Sequence, residues 1–330
     1  MTSTLRTGFA GERRAVTMPA GLWEASPPLV VVGALMLMVA AATVIGMIVD
    51  PRQILGAPAW LKPFKFAVST AVYSLTLAWM FGRLMEWPRA RRTVSWTTAV
   101  VFVLEVAIIA TQAWRGTTSH FNVSTPLNAT LFAVMGAAIL IQTLVSVTVV
   151  VILWRTPFSE RSLGWALRWG MTLTVVGALT GPLMTRPTAA QIAAARAAGH
   201  MTTAGGHTVG GVDGGPGLPV TGWSREHGDV RVAHFVGLHA LQALALVAVV
   251  VGRWRRAESV RVRAVFAAAA SYAGLFALLL WQALRGQSVV SPDATALTSL
   301  GVWAVGTLIV LAWIAIGSRE LTNARREVVR

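Results

Sequence analysis

Gln112-Ala113-Trp114-Arg115-Gly116-Thr117-Thr118-Ser119 ends one long apolar run, and Gln282-Ala283-Leu284-Arg285-Gly286-Gln287-Ser288 ends another, 170 residues later. Each copy leads into a turn and a helix start: Thr125-Pro126-Leu127-Asn128-Ala129-Thr130 after the first, and Ser291-Pro292-Asp293-Ala294-Thr295, one residue shorter, after the second. A third match lies upstream. Lys62-Pro63-Phe64-Lys65-Phe66 aligns with Arg231-Val232-Ala233-His234-Phe235 at an offset of 169, cation over cation and Phe over Phe. Self-similarity at nearly one offset in three places reads as a tandem duplication.

Composition sets the solvent. Of 330 residues 55% are hydrophobic and 12% charged, and the mean hydropathy of +0.63 is that of a membrane protein. The formal charge of +15 is spread over short loops between apolar spans, where arginine sets topology, so the lipid bilayer is the expected partner and nucleic acid is not. With no cysteine, disulfides, iron–sulfur clusters and thiol chemistry are excluded. The excess of Arg over Lys, with much Ala and Val, suits a GC-rich bacterial genome and hence a bacterial cytoplasmic (inner) membrane.

A helix needs roughly 20 residues to cross about 30 Å of hydrocarbon at about 1.5 Å per residue. Eight stretches qualify: 29–49, 64–85, 94–114, 127–153, 165–184, 231–251, 263–284 and 296–317. The expected fold is therefore an all-α integral membrane protein of eight transmembrane helices, a tandem repeat of two four-helix units over 29–154 and 165–317. Residues 1–28 and 318–330 are read as cytoplasmic tails, the first disordered. The apolar run after the first tail is about twice the length of a signal-peptide core, so it is read as a retained helix. With both termini inside, the cytoplasmic segments hold 3, 4, 3, 5 and 4 cations against 9 outside, as the positive-inside rule requires. Trp60, Trp87, Trp96, Trp114, Trp154, Trp165, Trp254 and Trp281 fall near span ends, as an interfacial aromatic belt does.

Glu105, in the third span, is the one acidic residue placed deep within a span, where a carboxylate is costly unless protonated, paired or hydrated. Gln112 follows on nearly the same face and Arg115 ends the helix, with His120 just beyond. In the second span Lys65, Ser69, Tyr73 and Thr76 form a polar stripe, and in the fourth Asn128, Met135 and Gln142 recur at heptad spacing, an inward seam. The sixth span carries Arg231, His234 and Gln242 along one stripe and His239 at its flank, about 80° from Arg231 at about 100° per residue. Both Glu105 and His239 lie roughly 13 Å below the outer surface at about 1.5 Å per residue. They are expected to meet as a proton-responsive pair.

An even number of spans per repeat gives the halves one orientation, related by an axis along the membrane normal. Gln112, Arg115, Gln282, Arg285, Lys62, Lys65, Arg231 and His234 then lie at the outer face as a cationic ring over an apolar cavity. That suits an anionic or amphipathic small molecule. Arg115 and Arg285 equally suit plain capping of helix C-termini. The outer segment 185–230 breaks the run of short loops. It opens with a short surface helix from Thr188 to Arg196, then becomes crowded with Gly around His200, His207, Asp213, His227 and Asp229, whose spacing fits no zinc pattern; a lid over the outer mouth is the better reading.

The four-plus-four layout and the outward position of the polar residues resemble haem A synthase, in which each half contributes a pair of His. That resemblance implies a haem-dependent redox protein, here with haem b on a single axial ligand, His239 or His234, because the first half has no intramembrane His. The HFxGLHxxQ stretch at 234–242 and the RGxxSHFN stretch at 115–122 look like those of uncharacterised bacterial polytopic membrane proteins, a likeness that implies no activity. The leading expectation is a binding or transport protein, proton-coupled through Glu105 and His239. No span shows the mid-membrane Gly or Pro interruption usual in secondary transporters.

Overall fold

The computed structural model describes residues 18–84 and 86–328, and over them the chain is an all-α, multi-pass membrane protein. The helices are α1 (Met18–Ala25), α2 (Pro27–Val49), α3 (Leu61–Phe81), α4 (Pro88–Trp114), α5 (Pro126–Arg155), α6 (Arg161–Ala178), α7 (Gly181–Met184), α8 (Ala189–Ala198), α9 (Val230–Leu238), α10 (Ala240–Gly252), α11 (Glu258–Leu284) and α12 (Ala294–Val328). Prolines pre-set for the first turn open α2, α4 and α5, and the Thr125 side chain accepts from Asn128 N at 3.2 Å to cap the last of these.

Six of these helices, α2 to α5, α11 and α12, are long and apolar enough to cross a membrane, and the pair α9–α10, bent by 45°, makes a seventh if counted as one span. The fifth predicted span coincides with α6, which has 18 residues, carries Arg161 and Arg168, and falls short of that test. Its surroundings explain its composition. α6 packs on α5, α9, α10 and α11, and most of it from Ser162 to Gly177 is buried, so its solvent is protein and it has little lipid to satisfy.

The N-terminal tail reading fails from residue 18 onward. α1 packs on α2 and α3, and Ser26 behind it is buried, donating to Ser95 Oγ at 2.7 Å. Residues 1–17, with Arg6, Arg13 and Arg14, lie outside the described residues. At the other end α12 runs on as helix to Val328, past the predicted span end at 317.

The sixth predicted span is broken at His239, whose backbone (φ −91°, ψ 7°) separates α9 from α10. The expectation of uninterrupted spans is therefore wrong at this point, and α6 supplies the reason. Gly170, Thr174 and Gly177 recur along one face of α6, and a Cβ on Gly177 would sit 2.4 Å from the Gly237 carbonyl carbon, so the two backbones touch. Thr174 Oγ1 accepts from Leu241 N at 3.1 Å and donates to Leu238 O at 3.3 Å, and Tyr272 OH donates to Val236 O at 2.6 Å. Backbone groups released by the break are thus satisfied by side chains, which is the condition for irregular backbone at membrane depth.

Leu77, Met80, Phe81, Leu153, Leu167, Met171, Leu241 and Leu244 interlock α3, α5, α6 and α10 in one apolar cluster. Polar side chains gather at the opposite end, called the loop face below.

Candidate functional site

At the loop face the two QAxRG copies build the same cap. In the first, Gly116 takes φ 72°, its N–H returns to Ala113 O, Thr117 N donates to Gln112 O, and the Gln112 amide reaches Thr118 O. In the second, Gly286 takes φ 75°, its N–H returns to Ala283 O, Gln287 N donates to Gln282 O, and the Gln282 amide reaches Ser288 O at 2.8 Å. A glycine in the left-handed region is what this helix ending demands. Each arginine then crosses to the next helix start: Arg115 donates to Asn128 Oδ1 at 3.0 Å and to Gln112, and Arg285 donates to Asp293 Oδ2 at 2.6 Å.

Four side chains order the long 185–230 segment. Thr188 and Gln191 form a capping box at the start of α8, and Gln191 also clasps Gly205, accepting from its N–H at 3.0 Å and donating to its carbonyl at 2.7 Å. Asp213 accepts from His207 N and Thr208 N and lies 3.1 Å from His207 Nδ1. Asp229, almost fully buried, caps α9, accepts from Ser224 N and pairs with Arg231 at 2.6 Å. The segment is also tied to its neighbours. Val123 N donates to Thr202 O, Ala204 N to Phe121 O, and Ser288 Oγ to Ser224 O. A Gly-rich sequence is here a fixed cover, which the composition alone does not predict.

This cover changes the reading of the cations. Lys65 donates to Thr221 O at 3.0 Å and Arg231 to Gly222 O at 2.6 Å, so both hold the loop. With Arg115 on Asn128 and Arg285 on Asp293, this commits every cation of the proposed ring except Lys62 to a protein acceptor. An open cationic ring is therefore not what the structure contains.

Lys62 and Glu105 remain uncommitted. Glu105 is 2% exposed, and its Oε1 has no hydrogen-bond partner among the described residues. Lys62 makes no hydrogen bond or ion pair there, yet it is the charged side chain that acts on Glu105, and it also has Lys65, Arg231 and Asp213 as charged neighbours. Beside them His120 is enclosed by Phe66, Phe121 and Phe132, with Ser119 Oγ at 3.0 Å from Nδ1. Burial, with Lys62, His207 and His234 close by, holds the His120 imidazole well below the usual histidine range. Burial and the Arg231 charge bring His207 down to about 4, against the opposing pull of Asp213. Burial pushes the Asp229 carboxyl up, and the Arg231 hydrogen bond and charge outweigh it, leaving the group below its ordinary value.

His239 does not join this cluster. Its ring stacks on Phe235 at 4.3 Å, one turn back on an exposed face of α9, and among the described residues it makes no ion pair or hydrogen bond with Glu105. The bend at His239 is the physical cause, since it takes the ring off the straight-helix direction used to place it. Gln242 lies beyond the break, where its amide is close enough to His239 to act on the ring. His234 sits with Nδ1 at 2.9 Å from Thr180 Oγ1 and 3.1 Å from Gly177 O. Donation to that carbonyl leaves Nε2 as the accepting nitrogen, which suits an axial ligand as well as any other acceptor role. No group of three His, Asp or Glu among the described residues is placed to hold a metal ion.

No protein-family model, curated protein or solved structure matches this chain. The resemblance to haem A synthase therefore gains no support from comparison, and function rests on the site alone. Sequence reading missed Thr174 on α6 and Thr180 just beyond its end, which hold the α9–α10 break and His234. A polar residue on an otherwise packed helix was the only available signal.

Proposed function

We propose that the protein binds or transports a small anionic or amphipathic molecule at a site between two four-helix units, with Lys62 and Glu105 as its polar contacts. The observation that carries this reading is the pair of uncommitted opposite charges under a fixed cover. A buried acid and a neighbouring ammonium that do not reach each other are costly unless a third group bridges them. A carboxylate or phosphate facing Lys62, with a hydroxyl or protonated oxygen donating to Glu105, satisfies both. Glu105 would exchange a proton as the ligand enters, which is the sense in which movement is proton-coupled. The broken α9–α10 helix favours transport over static binding, because discontinuous helices accompany alternating access.

The eight-span, two-repeat reading belongs to the same proposal. It takes α2 to α5 as one unit and α6, α9–α10, α11 and α12 as the other. The matching caps at Gly116 and Gly286 and the equal 27-residue lengths of α4 and α11 support it. A bacterial cytoplasmic membrane, with both termini inside and the loop face outside, follows from the arginine bias of the loops.

The test is thermal unfolding of the full chain in detergent with short mono- and dicarboxylates, alkyl phosphates and decanoate. At least one series should raise Tm, by the equivalent of about 2.7 kcal/mol at one hundred times Kd, and Lys62→Met and Glu105→Gln should abolish the rise. If nothing in the panel stabilises the native protein, or Lys62→Met responds like it, the reading is wrong.

A further inference from the structure

A second site lies apart from Lys62 and Glu105, in the wall between α11 and α12. A crevice of about 710 Å³ opens there toward the surroundings, lined by Gly274, Leu278, Ala294, Thr298, Val302 and Trp303. We propose that it holds one acyl chain of an anionic bilayer phospholipid, whose headgroup rests at Arg285.

Both helices are long and apolar enough to cross a membrane, so the crevice opens onto acyl chains. Its size lies within the range of about 300–1,000 Å³ typical of small-molecule pockets. The far wall is fixed, because Trp303 Nε1 donates to Ser271 O at 2.8 Å and Gly274 gives the indole room; a Cβ there would come within 3.3 Å of its Cδ1. The near wall is built from small side chains one turn apart on α12. The Thr298 hydroxyl is spent on Ala294 O at 2.7 Å, and neighbouring Ser299 donates to Thr295 O at 2.8 Å. With those two hydroxyl protons spent on helix carbonyls, the walls are mostly apolar and offer a polar occupant few partners. A hydrocarbon chain needs none.

The headgroup end is set by Asp293, which immediately precedes Ala294. Arg285 spends one edge of its guanidinium on that carboxylate through Nη1 and Nη2, stacks over Trp281 at 4.6 Å and keeps its remaining N–H groups for another acceptor. A cation stacked on Trp at a helix end, next to an apolar crevice, matches an acidic headgroup joined to a tail. α11 is the main neighbour of α12, and little of the α12 span is buried, so the crevice mouth faces the bilayer.

The experiment uses the delipidated full chain in mild detergent, titrated with palmitoyl-oleoyl phosphatidylglycerol or with the phosphatidylcholine of the same chains, and native mass spectrometry counts the lipids bound. One phosphatidylglycerol should bind at least about tenfold more tightly than phosphatidylcholine, a difference of about 1.4 kcal/mol. Thr298→Trp, which fills the crevice, should remove that tight lipid. Ser299→Phe serves as the filling variant if the first does not fold. The double variant Arg285→Gln with Asp293→Asn should keep a lipid and lose the headgroup preference. Equal binding of the two lipids by the native protein, or undiminished binding by a folded filling variant, overturns the proposal. Neither result bears on the carboxylate panel for Lys62, so the two sites fail or stand separately.

Discussion

Lys65 and Arg231 donate to consecutive carbonyls of one loop turn, Lys65 to Thr221 O at 3.0 Å and Arg231 to Gly222 O at 2.6 Å. One cation comes from the start of α3 and the other from the start of α9, so the cover over the polar cluster is stitched to both halves of the chain. The two contacts differ in what lies behind them. Arg231 also neutralises Asp229, which is nearly inaccessible, whereas Lys65 holds a carbonyl alone.

Arg231→Met should therefore cost more than Lys65→Met. Removing one partner of a buried pair leaves an uncompensated charge, worth about 3–5 kcal/mol, while a lost charge-to-carbonyl hydrogen bond is worth about 1.5–3 kcal/mol. Thermal unfolding in detergent measures the order. Limited proteolysis between 199 and 229 should find the segment cut faster in both variants. An Asp229→Asn partner change should recover part of the Arg231→Met loss, and a Lys65→Met variant less stable than Arg231→Met would contradict the assignment.

Acid should loosen the same cover. His207 titrates near 4 in the folded chain against about 6.5 when unfolded, so between these values the unfolded state binds more protons and stability falls as pH falls. The contribution is complete above pH 6.5 or so and is lost progressively toward pH 4. Hydrogen exchange across 205–213, corrected for intrinsic rates, should therefore accelerate from pH 7 to pH 4.5. In His207→Gln that acceleration should be reduced, and an unchanged pH profile in this variant would exclude His207 as the cause.

How much of this was legible beforehand depends on which solvent each residue meets. Spans facing lipid announce themselves, and six of the predicted stretches match helices long and apolar enough to cross, with a seventh on the bent α9–α10 pair; the Asn128, Met135 and Gln142 seam is buried as its spacing implies. The QAxRG copies were readable as a repeat, but the left-handed Gly116 and Gly286 that end both helices emerge only from the structure. Features made by one helix acting on another were not readable. Gly237 looks permissive in sequence, and only the approach of Gly177 turns it into a contact point beside a break. The arginines and Lys65 looked available because their acceptors, Asn128, Asp293 and two loop carbonyls, are distant in the chain or featureless. Glu105 was visible as an oddity, while its neighbour Lys62 was hidden among the ring cations.

The α9–α10 break gives a sharp contrast between two hydroxyls. Thr174→Val removes a group that both accepts from Leu241 N and donates to Leu238 O, and it preserves volume, so the cost is that of two unsatisfied buried backbone groups, about 1–3 kcal/mol each. Tyr272→Phe strips one donor from Val236 O and should cost about half as much. Unfolding midpoints of the two variants in the same detergent decide this. Equal losses would mean that Thr174 does not carry the break.

Glycine packing supplies the last and most direct test of how α6 meets α9. A Cβ at Gly177 would stand 2.4 Å from one backbone atom of Gly237 and 2.7 Å from Leu238 N, and backbone cannot rotate aside as a side chain does. Gly177→Ala should therefore destabilise by more than the 1–3 kcal/mol or so usual for overpacking, or prevent folding. Gly136→Ala on α5 is the control. Nothing lies within 4 Å of the added Cβ there, and a mid-helix Gly gives way to Ala with a gain of about 0.5–1 kcal/mol. Expression level and monodispersity in detergent, followed by Tm, should separate the two in opposite directions. If Gly177→Ala is as well behaved as Gly136→Ala, the two helices do not touch at this point, and the support that Thr174 gives the break must be redrawn with them.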